Sequence, residues 1–276
     1  MRAVSLLTFI VLSAAHLVSQ IKAPARVDAP PALKDNSFFI EEAYNQEEGV
    51  VQHISGFLYS LAPNRQLTYS FTQEWPLAGT RQQLSYTLPM TISGSDHQAG
   101  VGDIMLHYRY ELREEIHGAA ITPRFSLLLP TGNAQRGLGF GVVGAQLNIP
   151  ASMRVSDRFA AHANLGATYL PHITRDLGSG ERSRHTLVTF NAGGSIVWLA
   201  AETFNVLLEY STSRSIEKFS NGTAQNSTET IVCPGVRFAI NVEELQIVPG
   251  IGIPLFLTGS TSHSGVFFYL SFEHPF

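Results

Sequence analysis

An alternation of apolar and polar residues with a period of two dominates the chain from about residue 50 onward. It constrains the fold more than any other feature of the sequence. Segment 102–113 is the sharpest example: its apolar set is Ile104, Leu106, Tyr108, Tyr110 and Leu112, and its polar set is Asp103, His107, Arg109, Glu111 and Arg113. A β-strand places two such sets on opposite faces, whereas an α-helix mixes them. The pattern therefore predicts a half-buried strand.

Twelve segments of this kind follow one another. They cover residues 50–60, 67–77, 83–92, 102–113, 119–129, 143–154, 158–169, 185–198, 204–211, 230–241, 245–256 and 266–276. Short connections such as 156–157 alternate with longer polar ones such as 171–183 and 212–228. This asymmetry and an even strand count are typical of single-chain bacterial outer-membrane barrels. We therefore predict an all-β fold, a transmembrane antiparallel up-and-down β-barrel of about 12 strands at residues 50–276.

The first residues predict export. A positive start at Arg2 precedes a mostly apolar stretch, which is the pattern of a secretory signal peptide rather than of a membrane helix. We expect a signal peptide at residues 1–23, with Ala15, Ala23 and Ala25 as possible cleavage positions. Residues 24–49 are expected to be a periplasmic lead-in or a plug segment. No later apolar run approaches the roughly 18 residues that a spanning helix needs, so a closed barrel is the remaining backbone solution in lipid.

The last segment ends in a C-terminal phenylalanine. Phe268, Leu270, Phe272 and Phe276 share one face of the predicted strand, and such an ending is typical of the signal that the bacterial barrel-assembly machinery reads. The expected partners are therefore that machinery and the lipid bilayer of the bacterial outer membrane.

Only 14% of the residues are charged, against about 25% in typical soluble domains. Several of these charges fall on the face opposite the apolar set, where they would line the lumen. The lumen-lining candidates are Asp103, His107, Arg109, Arg124, Arg158, His162, Glu209 and Arg237. They could brace the wall through ion pairs, or line a pore and contact a solute. A lumen arginine needs a partner, because an unpaired buried charge costs several kcal/mol.

Three stretches carry a resemblance to a known family. They are residues 37–53, residues 100–112 with the motif Gly-Val-Gly-Asp, and residues 127–133 with the motif Leu-Pro-Thr-Gly. Together they resemble the outer-membrane barrel family named after the meta-cleavage pathway of phenol degradation, whose members are often described as transporters. The resemblance covers most of the chain after the signal peptide. It implies a barrel and an uptake role, and it brings no catalytic residues.

The net charge of −4 gives no electrostatic footprint for nucleic acid. The single cysteine, Cys233, excludes an intrachain disulfide, and no serine-hydrolase elbow or paired metal-ligand motif is present. We expect no cofactor and no catalysis. The sequence favours a channel or transporter for passive uptake of small compounds, hydrophobic or aromatic ones included. Three alternatives remain open: a structural or surface-binding barrel with a plugged lumen, a less favoured lipid-modifying outer-membrane enzyme, and a soluble periplasmic β-protein.

Overall fold

The computed structural model describes residues 37–61, 65–77, 79–93, 99–176, 182–243 and 245–276. Sixteen β-segments within these ranges form one antiparallel sheet. The segments are β1 (Val50–Ser60), β2 (Gln66–Pro76), β3 (Gln82–Ser93), β4 (Ala99–Val101), β5 (Ile104–Tyr110), β6 (Ala120–Ile121), β7 (Arg124–Leu129), β8 (Gly144–Ser156), β9 (Phe159–Asp176), β10 (Arg182–Ala201), β11 (Phe204–Phe219), β12 (Ala224–Phe238), β13 (Ile240–Val242), β14 (Leu245–Gly252), β15 (Leu255–Thr258) and β16 (Thr261–Pro275). Two short 3₁₀ helices span Glu115–His117 and Ala134–Arg136.

The sheet closes on itself because its first and last strands pair. β1 runs antiparallel to β16 from Val50 opposite Pro275 to Ser60 opposite Gly265. Four barrel strands are each built from two segments: β4 with β5, β6 with β7, β12 with β13, and β14 with β15. Two of the breaks contain Pro123 and Pro254, which have no backbone N–H to donate to the ladder. The sixteen segments thus make twelve strands, and the predicted twelve-stranded antiparallel barrel is confirmed.

Burial alternates along the strands as the sequence predicts. In β11, Asn205, Leu207 and Glu209 are each 1% exposed, whereas Leu208 and Tyr210 are 53% and 50% exposed. The side chains inside the barrel are thus buried, and large apolar side chains cover its outer surface. Large apolar side chains on the outer surface suit a lipid surround. In lipid, every backbone polar group must also be paired within the barrel, as the closed ladder allows.

Aromatic rings lie near both ends of the outer surface. Trp198, Phe204 and Phe238 lie at the ends of β10, β11 and β12 that join at short turns, and Phe204 and Phe238 pack with ring centroids 4.9 Å apart. Tyr169 and Phe190 lie toward the opposite ends of β9 and β10. Amphipathic rings favour the headgroup level, so the two groups mark the edges of the apolar band.

Strands β9 to β12 are longer than a bilayer requires. They contain 18, 20, 16 and 15 residues, whereas a tilted spanning strand needs about 9–11. They therefore project beyond the band at the end away from the chain termini. The expected loop at 212–228 was wrong in this respect: β11 continues to Phe219 and β12 resumes at Ala224. Above the band both faces of a strand meet water, so the sequence there lacks the apolar alternation of a half-buried strand.

Other features have a simple placement. The last strand, β16, carries Phe268, Leu270 and Phe272 on its outer face, and Phe276 follows it with 75% exposure. No helix among the described residues is long and apolar enough to cross a membrane. The predicted signal peptide at 1–23 lies outside the described residues.

Residues Ser37–Gly49, here called the inner segment, precede β1 and lie inside the barrel. They contain no regular strand or helix. Ile40 and Ala43 are 2% and 0% exposed, and the segment contacts strands from all sides of the lumen. Its position makes the lumen the candidate site of function.

Candidate functional site

The first feature of the lumen is a pair of arginines that face each other. Arg109 of β5 and Arg124 of β7 are directly opposite in the ladder, and like charges in this arrangement repel. Glu41 of the inner segment lies against both. Its Oε1 is 3.5 Å from Nε of Arg109, its Oε2 is 3.3 Å from Nη1 of Arg124, and Asn148 donates to Oε2 at 2.6 Å. One carboxylate from the inner segment thus compensates two wall charges.

Glu42 makes the second charged contact, on a different part of the wall. Its Oε1 lies 3.4 Å from Nη1 of Arg237 on β12 and 3.5 Å from Nε2 of His162 on β9. Ser37 donates to the same oxygen at 3.1 Å, and the guanidinium of Arg109 donates to the Glu42 carbonyl. Glu42 and Arg237 are both nearly fully buried. Consecutive glutamates therefore bind arginines on opposite sides of the barrel.

Wall side chains also satisfy the backbone of the inner segment, which has no ladder of its own. Glu209 accepts from the N–H groups of Phe39 and Ile40 at 3.1 and 3.3 Å. Three further bonds follow along the segment: Asn164 accepts from Glu41 N–H at 2.8 Å, Ser152 accepts from Ala43 N–H at 2.7 Å, and Thr122 donates to the Ala43 carbonyl at 2.7 Å. Buried backbone groups require such partners, so the polar lumen wall is matched to this segment.

Glycines on the inner face make room for the apolar side chains of the inner segment. A Cβ atom on Gly250 or Gly252 would lie 2.8 or 2.9 Å from the ring of Phe38, closer than real Cβ contacts allow. The Phe38 ring also packs against Phe267 and Tyr269, with centroids 5.3 and 5.7 Å away. We call this arrangement the Phe38 socket. Close backbone approach is a common reason for glycine within a strand.

A cavity of about 310 Å³ remains beside the inner segment. Its apolar lining comes from Phe38, Phe39, Ile40, Ile54, Phe267 and Tyr269. Its polar lining comes from Ser37, Glu41, Ser70, Thr72, Glu74, Thr87, His107, Arg124, Gln146, Asn148, Asn164 and Asn191. Since a cavity of roughly 150 Å³ suffices for benzene, this space fits one aromatic ring with a polar substituent.

Each mouth of the barrel holds a larger cavity. The outer one, about 790 Å³, lies between the loop after β7 and strands β9 to β11, with Phe140, Val142, Ile173 and Leu187 among its walls. The one at the opposite end, which carries the chain's C-terminus, has a volume of about 660 Å³ and is lined mainly by glutamates together with Tyr44 of the inner segment. Burial raises the pKa of Tyr44, and the carboxylates of Glu115 and Glu42 raise it further. The Tyr44 hydroxyl therefore stays neutral at physiological pH.

The predicted lumen residues fall into three groups. His107, Arg109, Arg124, His162, Glu209 and Arg237 lie on the inner face of their strands and take part in the network around the inner segment or in contacts beside it. Asp103 is buried, but it binds the loop after β7: it accepts hydrogen bonds from the N–H groups of Gly132 and Phe140 at 2.9 and 2.7 Å.

Arg158 was predicted to line the lumen, and the structure corrects this. It lies exposed in the two-residue turn between β8 and β9, since the pairing of these strands ends at Ser156 and Phe159. Sequence reasoning also missed Glu41, Glu42, Phe38 and the inward rings of β16. The one available signal was the excess of arginines over acids on the predicted inner face, which calls for carboxylates from elsewhere in the chain.

No protein-family model and no curated relative matches the sequence. Solved structures do match. An outer membrane channel from Pseudomonas putida superposes with a TM-score of 0.63 at 14% identity, covering 91% of this chain and 100% of that one. The NanC porin superposes with a TM-score of 0.50 at 9% identity, covering 82% of this chain and 100% of that one. The chain therefore has the fold of a bacterial outer-membrane β-barrel.

Proposed function

We propose that this protein is an outer-membrane channel for passive uptake of small hydrophobic or aromatic compounds, and that its inner segment closes the lumen until it moves. The observation that carries the proposal is the contact set of Glu41 and Glu42. These two carboxylates hold the segment across the lumen through ion pairs and hydrogen bonds, which can break and re-form without covalent chemistry.

The cavity beside the inner segment supports the substrate class. Phe38, Phe267 and Tyr269 offer apolar ring faces, and the amide of Asn191 offers hydrogen bonds in the same cavity. Binding pockets commonly combine an apolar lining with a few placed polar groups. A compound with one ring and one polar group matches this mixed lining, and the resemblance to the phenol-degradation family agrees with such compounds. No catalytic step is part of this proposal.

A reversible tether tests the movement. The hydroxyl oxygens of Ser37 and Ser195 are 3.3 Å apart, so cysteines at these positions lie within disulfide reach. We would prepare Ser37→Cys with Ser195→Cys in a Cys233→Ala background and record conductance in planar bilayers, with benzyl alcohol and xylose as added solutes. Conductance that falls on oxidation and returns on reduction is expected, as are current interruptions by benzyl alcohol and none by xylose.

The same protein, oxidised and reduced, provides the matched control. Equal conductance in both states would mean that the inner segment does not gate the lumen. Silence in both states, with conductance appearing only after deletion of residues 26–49, would favour the alternative of a plugged structural or surface-binding barrel. The buried ion pairs of Glu42 are the observation on which that alternative rests.

A further inference from the structure

The projecting parts of β10 and β11 segregate charge between their two faces. Along β11, Ser213, Ser215 and Glu217 face inward, and Arg214, Ile216 and Lys218 face outward, as the ladder with β10 requires. Ser215 shares a hydrogen bond of 2.8 Å with Thr189, and Glu217 lies 4.0 Å from the buried ring of His185. The acid on this part of the strand is thus inside, and the cations are outside.

Three cations lie together on the outer face. Lys218 is opposite Thr186, and the backbone of Arg184 bonds to Ser220, so Arg184 and Lys218 are diagonal neighbours, about 7–8 Å apart between α-carbons. Arg214 lies four residues from Lys218 on the same face, opposite Phe190. We call Arg184, Arg214 and Lys218 the outer basic patch.

On β11 and β12, no acid shares the outer face with the outer basic patch. All three side chains are exposed, and none makes an ion pair with a residue whose side chain the structure describes. The outward neighbours on β12 are Thr228 opposite Arg214, Asn226 opposite Ile216 and Ala224 opposite Lys218. Three positive charges therefore face outward from the barrel wall with only neutral side chains beside them on β12.

The height of the patch places it at lipid headgroups. Arg214 is ten residues beyond Phe204, which marks the periplasmic edge of the band. Ten residues at about 3.3 Å each, tilted by about 40°, rise about 25 Å, the usual height of the apolar band. Lys218 stands about 10 Å higher by the same estimate. Arg214 is therefore at the outer boundary of the hydrocarbon, and Lys218 is just above it.

We propose that the outer basic patch binds the phosphate groups of the glycolipid that forms the outer leaflet. Arginine binds phosphate through paired N–H donors, and lysine binds it as a point charge. Long side chains of both types can lie along apolar surface and extend their charge to the headgroup level. The phosphates of the outer leaflet lie where sugar meets acyl chain, which is the level of Arg214. This inference goes beyond solute uptake and holds whether or not the lumen opens.

The test uses the full chain in detergent, with bound lipid counted by native mass spectrometry. The probes are bis-phosphorylated lipid A and its dephosphorylated analogue. The variant Arg184→Ser with Arg214→Ser and Lys218→Ser removes the patch, and Arg81→Ser with Arg158→Ser removes two exposed arginines at the periplasmic end as a matched control. A cation near a charged membrane surface contributes about fivefold in affinity, so the triple variant is expected to lose about a hundredfold.

Each outcome of the lipid-binding experiment either supports or overturns the proposed phosphate site. Loss of lipid A binding in the triple variant, retention in the periplasmic control and weak binding of the dephosphorylated analogue would establish the patch. Equal binding of both lipids, or equal binding by the triple variant and the unchanged protein, would overturn it. Displacement of lipid A by millimolar inorganic phosphate would show a free-anion site instead, which also overturns the proposal. If the triple variant does not fold, as judged by heat-dependent gel mobility, the single change Arg214→Ser is used and a loss of about fivefold is expected.

Discussion

Replacing Glu41 by glutamine should release the inner segment from the lumen wall. Glu41 is the carboxylate between Arg109 and Arg124, whose side chains are 1% and 22% exposed. Glutamine keeps the shape and can still accept from Asn148, but it leaves two facing guanidinium groups without their shared counter-charge. Breaking a buried ion pair by removing one partner costs about 3–5 kcal/mol. Because Arg124 is partly exposed, we expect the lower value, about 3 kcal/mol, or a factor of about 150 in the docking equilibrium.

The rate of thiol labelling reports this equilibrium. Ser37→Cys is nearly isosteric and places the thiol at a position that is 5% exposed. In a Cys233→Ala background, maleimide reacts with this thiol only when the segment leaves the wall. If docking and release are fast, the labelling rate follows the released fraction. Glu41→Gln should therefore label about a hundredfold faster than the parent.

Two further variants make the reasoning refutable. Glu47→Gln removes a charge from the same segment at an exposed position, and its labelling rate should stay within about twofold of the parent. Adding Arg124→Gln to Glu41→Gln removes the repulsion between the arginines and should recover part of the loss, which a double-mutant cycle measures. An unchanged rate in Glu41→Gln, or an equal rise in Glu47→Gln, would mean that the ion pairs do not hold the segment.

Three more predictions follow from the described contacts. Phe38→Ala empties the Phe38 socket and should raise the same labelling rate about thirtyfold, since Phe38 is only partly buried and its removal costs about 2 kcal/mol, less than a fully buried phenylalanine; an unchanged rate would show that the socket adds nothing. Asp103→Asn weakens two backbone hydrogen bonds of the loop after β7, so limited proteolysis in 131–143 should speed up, with cleavage elsewhere as the internal reference. The pKa of Tyr44 is raised while the inner segment is docked, so docking is fully stable below the ordinary tyrosine pKa and should weaken as the pH rises beyond about 10. In absorbance titrations, the tyrosinate signals of the parent and of Tyr44→Phe should therefore agree up to that pH.

The sequence predicted the barrel because lipid and lumen impose opposite requirements on alternate residues. Segment 102–113 needs no partner to show which residues face which way, since the strand period is two. The same rule placed His107, Arg109 and Arg124 on the inner face. It failed at Arg158 because a turn ends the alternation, and at 212–228 because neither face is buried in lipid there.

Tertiary structure alone decided what occupies the lumen. Residues 37–49 carry no period, so their sequence predicts neither strand nor helix, and the choice between a lead-in and a plug stayed open. Glu41 and Glu42 have a clear role only when the walls that carry Arg109, Arg124 and Arg237 surround them. Likewise, Gly250 and Gly252 resemble ordinary strand glycines until the Phe38 ring lies against them. Local alternation is a property of one strand and can be read in the sequence. The contacts named above join distant residues, such as Arg237 and Glu42, which are 195 positions apart, and they exist only after the barrel closes.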